Sequence, residues 1–469
     1  MTDHEKLARG RRDLTQGSLF WTMFHLAVPL AAGMFFRTLY NLVDTFWLGK
    51  VSKEALAAPG VSMPLIFTLL AFGLGFGSAA TALVAQHTGA KQHREADRTA
   101  AQSLMVMTVI STILSFPMIF FAGDVLRFVR VPPDVVPRAA PYLSIFMMAM
   151  PLMGFGIGYD AVLRALGDTR TMVVVNLVGN ILNAVLDPIL IFGWGPFPAM
   201  GARGAAIASA ISIALAFMAC VILLMRGRAG LRPHLRDFLP DKQILRRLFD
   251  VGLPAGLSTA LEGIGFTVFQ AMINKLGAVV IGAFSIGARM TNFLDIPGQC
   301  TSMAAAPVVG QAMGAGKLPL ARRVIYKGAL LVAVGTFIPY GLIMWQGGLV
   351  ARAFVNDPGV IAETRRFFYI LPVSHYFFGV MNVFLASFRG AGRTRPILIV
   401  TILRQWLLRL PLCLLLGFTF GLGSIGIYIG MALANLLCAG MAWWLFHSGG
   451  WEQAVIPVSR EETPQEDRL

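Results

Sequence analysis

The chain has 469 residues, of which 56% are hydrophobic and only 13% charged, with a mean hydropathy of +0.68. An ordinary soluble domain is excluded, since about a quarter of its residues would be charged. The formal charge of +15 stands in short basic clusters between apolar runs, which excludes a nucleic-acid-binding face.

Residues 1–17 form a basic segment. Lys6, Arg9, Arg11 and Arg12 lead into an apolar run too long for the core of a cleavable signal. Apolar runs then recur at 18–48, 54–86, 95–121, 139–163, 171–193, 204–225, 246–273, 279–312, 321–348, 360–388, 396–419 and 424–447. Each reaches across a hydrocarbon core of roughly 30 Å. The predicted fold class is an all-α polytopic membrane protein with twelve transmembrane helices. Counting alternate connections, one face carries about twice the Lys and Arg of the other, which predicts a plasma (inner) membrane protein with both termini cytoplasmic. Cys220, Cys300, Cys413 and Cys438 all fall inside spans, without metal-like spacing, and read as small apolar packing residues. The tail 448–469 is expected to be cytoplasmic, and its last residues, "SREETPQEDRL", to be charged and disordered.

The sequence repeats itself. Pro29 in "LAVP" matches Pro254 in "VGLP", and the same 225-residue offset relates Gln86, Gly89 and Ala90 to Gln311, Gly314 and Ala315. It also relates Arg98 to Arg323 and the loop "RALGDTR" to "RGAGRTR". The expectation is two six-helix bundles, an N-lobe at 18–225 and a C-lobe at 246–447, joined by a cytoplasmic linker at 226–245. An even number of spans gives both lobes the same orientation, the parallel-repeat architecture of secondary transporters. A duplicated structural bundle is the bland alternative. It explains poorly why charges are kept inside the spans.

Those charges begin in the first span, where Arg37, Tyr40 or Asn41, and Asp44 share one helical face in "RTLYNLVDTFWLG". A charge at the centre of a spanning helix costs about 2.5–3.5 kcal/mol on insertion scales. Arg37 and Asp44 either pair with each other across two turns or belong to a functional site. The fifth span, "MVVVNLVGNILNAVLDPILIFG", carries Asn176, Asn180, Asn183 and Asp187 as a polar stripe. Interhelical hydrogen bonding is the bland reading and suits Asn176, but it does not account for Asp187. Two carboxylates at similar depth, with amides nearby, suit a proton or a sodium ion. Desolvation and a like charge both disfavour the ionised form, which lets an aspartate carry a proton near neutral pH. The equivalent positions in the second half are Phe269 and Leu412, so the ion chemistry is expected in the N-lobe.

The second half has its own polar set: Glu262, Arg289, Asn292, Asp295, Gln299, Arg404 and Arg409. Glu262 either attracts a cationic substrate or pairs with an arginine. Asp295 is expected to pair internally with Arg289 or Asn292, and Asp160 with Arg164 at i+4. Pro29 marks a bend in the first span, and Gly73 with Gly77 marks close packing. "GQAMGAGKL" at 310–318 lacks both the leading Gly and the Ser/Thr after Lys317 that a phosphate loop requires. No nucleophile–base arrangement appears, so no enzymatic activity and no cofactor are expected.

"LYNLVDTFWLG", "NILNAVLDPILIFG", "GAAIAS", "GARM" and the paired "GDTR" and "GRTR" loops resemble the multidrug and toxic compound extrusion (MATE) family over nearly the whole chain. The resemblance implies a V-shaped pair of six-helix bundles and efflux of organic cations in exchange for H⁺ or Na⁺. In its proton-coupled, archaeal-type branch the coupling ion would be carried here by Asp44 and Asp187, assisted by Asn183, Asn180 and Ser209. Tyr40, Asn41, Arg37, Asn176, Glu262 and Arg289 would line the substrate cavity, with Pro29 at the bend of the first helix. Two departures bear on the ion. Arg37 replaces a neutral polar residue, and the tenth span lacks the acid of the sodium-coupled branch, although Glu262 matches that branch's acid in the seventh. The expected function is therefore a multidrug antiporter, with H⁺ favoured and Na⁺ at Asp44 and Asp187 the other candidate. Its partners would be organic cations or amphiphiles and membrane lipids, and it would act as a monomer. The alternative is a lipid-linked oligosaccharide flippase, for which Arg37, Arg289, Arg404 and Arg409 would supply cationic groups. A membrane enzyme or receptor has no constellation behind it.

Overall fold

In hydrocarbon a spanning backbone must satisfy its own N–H and C=O groups, which an α-helix does within a single segment. The computed structural model describes residues 11–49, 53–194 and 196–457, and its spanning elements are all helical. Within helices, the side-chain surroundings of residues 39–46, 48–49 and 53–56 lie outside the described set. The helices are α1 (Leu19–Gly49), α2 (Lys53–Gly89) and α3 (His93–Phe120), then α4, built of Val136–Met148 and Met150–Ala165. They continue with α5 (Arg170–Phe192), α6 (Ala202–Met225), α7 (Lys242–Asn274) and α8 (Ala278–Gly314). The last four are α9 (Leu318–Phe354), α10 (Pro358–Gly390), α11 (Arg395–Thr419) and α12 (Gly423–His447).

Eleven of these are long and apolar enough to span alone, and α4 makes the twelfth as a pair bent by 48°. The uninterrupted span expected at 139–163 is therefore broken. Pro151 enters just after the break, has no N–H for the Met147 carbonyl, and ends the first segment. A short helix, Ala122–Phe128, which the apolar pattern does not reveal, precedes α4. Proline acts differently in α11. Around Pro411 the helix widens into π-turns at Leu403–Arg409 and Leu415–Thr419 instead of breaking.

Contacts group the chain into two compact units. Among the described residues, the first holds Arg11 and Arg12, His25–Ala80 and Asp97–Gly263; the second holds Asp13–Phe24, Thr81–Ala96 and the residues from Ile264 to Pro457. The changeover thus falls inside α7, whereas the sequence-based division places it in the linker 226–245. The linker is held to the first unit by specific bonds. Gln102 donates to the Asp237 carbonyl at 2.7 Å and to that of Leu239, and accepts from the Asp241 amide. Arg98 pairs with Asp241 at 3.0 Å, and Arg228 with Asp168 at 3.0 Å.

Each unit has its own apolar core. Leu70, Tyr142, Phe146, Met150 and Ile191 centre the first; Phe269, Phe284, Phe367, Phe368 and Tyr428 centre the second. Small residues set the helix spacings. Gly73 and Gly77 of α2 lie against Ile157 and Ala161 of α4, as the GxxxG spacing predicts.

The repeat has a structural meaning in the second unit, where the end of α2 crosses the end of α8. A Cβ on Gly89 would collide with the Gln311 carbonyl, and one on Gly314 with the Gln86 carbonyl. Both glutamines are buried. Gln86 donates to the Gly390 carbonyl at 3.0 Å and accepts from the Val455 amide at 3.0 Å. Gln311 accepts from the Leu14 amide at 2.8 Å. Each repeat-related glutamine therefore anchors one terminal segment of the chain. The paired loops are also alike in backbone, since Gly167 and Gly392 both adopt positive φ, 84° and 72°.

A buried carboxylate site and its surroundings

The polar stripe of α5 becomes more buried as the helix advances. Asn176 is exposed, Asn180 half-buried, Asn183 buried and Asp187 fully buried. The burial is set by α6, which packs along α5 through small residues. Ala205, Ala206 and Ala208 are buried, and a Cβ on Gly204 would collide with the Leu190 carbonyl. That close approach brings Ser209 to Asn183.

With the amide oriented to satisfy both ends, Asn183 donates to Asp187 Oδ2 at 2.9 Å. Its oxygen then accepts from the Ser209 amide at 3.0 Å and from Ser209 Oγ at 3.3 Å. The three residues expected to work together, Asp187, Asn183 and Ser209, are thus joined into one chain of hydrogen bonds. The α5 backbone ends cleanly just beyond, at Gly193 (φ 76°), whose amide returns to the Ile189 carbonyl.

Other expected site residues are placed as follows. Tyr40, Asn41 and Asp44 lie outside the described side chains. Arg37 is exposed on α1, which approaches α5 where Gly33 meets Val173. Pro29 stands within the continuous helix α1. Glu262 is half-buried, and Arg289 is exposed. Asp160 pairs with Arg164, as its spacing predicts. Arg404 and Arg409 are buried in the second unit, and each guanidinium lies over an aromatic ring. Arg404 is 5.0 Å from the Phe378 centroid, and Arg409 is 4.1 Å from that of Phe269.

Asp295 corrects an expectation. It pairs with neither Arg289 nor Asn292, both of which are exposed while Asp295 is buried. Arg289 precedes it by six residues and so points about 120° away around α8. Instead, Asp295 Oδ1 accepts from the Tyr340 hydroxyl at 2.7 Å, and Oδ2 faces His375 Nδ1 at 2.9 Å. His375 is the functional candidate that pattern reading missed. Its signal was present, since an ionisable residue in the middle of an apolar span is costly. Its partner lies 80 positions away in sequence, where no spacing rule reaches.

Comparison with known proteins agrees with this architecture. The MatE family model matches residues 29–189 and 254–415, two stretches that begin at the repeat-related Pro29 and Pro254. A probable multidrug resistance protein NorM from Thermotoga maritima is 27% identical over 456 residues, which are 94% of this chain and 95% of the relative. An FAD transporter from Shewanella oneidensis is 24% identical over 429 residues, covering 92% and 94% of the two chains. A crystal structure of MATE in the bent conformation superposes with a TM-score of 0.87 at 24% identity, over 96% of this chain and 97% of the other, and so shares the fold. With the family model covering well over half of a twelve-span helical chain built as a repeat, the protein belongs to the MatE family of membrane transporters.

Proposed function

We propose that this protein is a secondary active exporter that exchanges organic cations or cationic amphiphiles for protons, with Na⁺ as the other candidate ion. The observation that carries the reading is Asp187, fully buried in an apolar bundle and held by Asn183, which Ser209 orients in turn. A carboxylate buried in such surroundings is costly to keep ionised, and a bound cation lowers that cost. A proton, a sodium ion and an organic ammonium all do so, and they exclude one another because they answer the same negative charge. Competition of this kind is the thermodynamic basis of exchange.

In this reading Asp44 acts as the second coupling carboxylate, assisted by Asn180. Tyr40, Asn41, Arg37, Asn176, Glu262 and Arg289 are the residues this reading assigns to substrate binding. Protonation of the two aspartates from outside would bias the bend of α1 at Pro29 and release the cation outward. The reading is supported by relatives named as multidrug resistance proteins. It carries with it a monomer in the inner membrane with both termini cytoplasmic.

Uptake of ethidium into inverted membrane vesicles, driven separately by a pH gradient and by a sodium gradient, tests it. The pH gradient should drive uptake, and Asp44→Asn or Asp187→Asn should each reduce the rate at least about tenfold, equivalent to about 1.4 kcal/mol. Uptake like wild type in both variants overturns the site. A response to sodium alone reassigns the ion, and a response to neither favours the lipid-linked oligosaccharide flippase.

A further inference from the structure

The second unit contains a polar cluster for which the carboxylate site of the first has no use. Asp295 lies near the middle of α8, Tyr340 past the middle of α9 and His375 at the middle of α10. Their side chains meet in the bundle interior, with Asp295 7% exposed and His375 16% exposed. Both carboxylate oxygens are occupied, one by the phenol and one by the imidazole. We propose that His375, Asp295 and Tyr340 form a second proton-binding site, in which the exchangeable proton sits on His375 Nε2. It deepens the proposed proton exchange, and rests on that reading only for its link to transport.

The chemistry follows from the geometry. A carboxylate facing Nδ1 at 2.9 Å selects the tautomer in which Nδ1 carries hydrogen, and this leaves Nε2 as the basic nitrogen. With a neutral imidazole the cluster has one net negative charge, that of Asp295. A proton taken from water by the Nε2 lone pair creates an imidazolium and brings the cluster to neutrality, with no bond to carbon made or broken. Inside an apolar bundle the neutral pair is the better-tolerated state. Tyr340 holds the carboxylate in place, since its hydroxyl fixes the oxygen that His375 does not use.

The charged and polar groups on the packed elements are as follows. From α8 the facing charge is Asp295 itself, and Arg289 is exposed on another face. From α9 it is Tyr340. From α12 it is a neutral amide, Asn435, which donates to Ser374 at 2.9 Å. From α11 it is Arg404, one ring removed, over Phe378, whose own ring stands edge-on to His375 at 6.3 Å between centroids.

The backbone around the cluster is interrupted by prolines in its hydrogen bonding. Pro297 follows Asp295 by two residues, Pro339 immediately precedes Tyr340, and Pro372 precedes His375 by three. Each proline removes one intrahelical hydrogen bond. One turn along, α8 and α10 touch where a Cβ on Gly298 would stand 3.0 Å from Gly379 Cα. A change of charge between Asp295 and His375 therefore acts on three helices at their weakest hydrogen-bonding points.

The test is a difference titration of the purified full-length protein in detergent, comparing wild type with His375→Gln, Asp295→Asn and Tyr340→Phe. His375→Gln should take up about one proton fewer per molecule than wild type over the whole titration. Asp295→Asn should change the pH range over which that proton is taken up. Superimposable curves for wild type and His375→Gln overturn the site, whatever ion drives transport. If Asp295→Asn does not fold, Tyr340→Phe, which removes one hydroxyl, must displace the curve; an unchanged curve rejects the cluster as a unit. If the curves differ and yet a pH gradient drives no ethidium uptake by wild type, the site stands and the proton-exchange reading falls.

Discussion

The two halves of the repeat place their costly polar groups at different positions of the same scaffold. Where the first half carries Asp44 and Asp187, the second carries Phe269 and Leu412, and Phe269 lies beneath the Arg409 guanidinium. Where the second half carries Asp295, Tyr340 and His375, the first carries Leu70, Ser115 and Met150 at the 225-residue offset, all buried. Leu70 and Met150 belong to the apolar core of the first unit. Each half thus uses as packing what the other uses as a charge site. The holding groups differ as well. Asp187 is met by an amide, which cannot change charge, and Asp295 by an imidazole, which can.

Moving a charge across that correspondence breaks it most severely. Leu70→Asp puts a carboxylate where the neighbouring repeat positions are Ser115 and Met150 and offer no imidazole. It should destabilise the protein by about 3–5 kcal/mol, read as loss of the folded, monodisperse species in detergent. Gly314→Val is the next largest. Its side chain would meet the Gln86 carbonyl, and overpacking against backbone costs about 1–3 kcal/mol, seen as a lowered thermal midpoint. Asn183→Ala removes the donor to Asp187 and one acceptor of Ser209. The cost of a lost buried partner, about 1–3 kcal/mol, should appear together with reduced transport, which separates it from the purely structural Gly314→Val. The smallest effect belongs to Arg98→Ala. Its bridge to Asp241 is between side chains 38% and 30% exposed, so the loss should stay below about 1 kcal/mol, with transport unchanged.

The spans were legible because apolar length is a local property, and all twelve lie within a few residues of their expected limits. The repeat was legible for the same reason, through punctuation such as Pro29 and Pro254 or Gly167 and Gly392. The break in α4 was missed although Pro151 signals it, because apolar composition continues across residue 149. The link from Asn183 to Asp187 follows from a four-residue spacing, and that to Ser209 from the family resemblance. What stayed hidden depends on distant segments meeting. Gln86 and Gln311 were identified as equivalents, yet their partners Val455 and Leu14 lie some 370 and 300 positions away. Periodicity sees only one helix at a time and so offers Asp295 a partner on its own helix. Composition marks the linker 226–245 as a divider but carries no sign that Gln102 and Arg98 bind it to one unit.

The central claim is that Asp187 answers to one cation at a time. The most direct measurement is proton release when ethidium is added to purified protein in lightly buffered, sodium-free solution, comparing wild type with Asp187→Asn. The account predicts release of protons from wild type and a clear reduction in the variant. Equal release from both proteins would contradict it, because the displaced proton would then come from somewhere other than the carboxylate buried between α5 and α6.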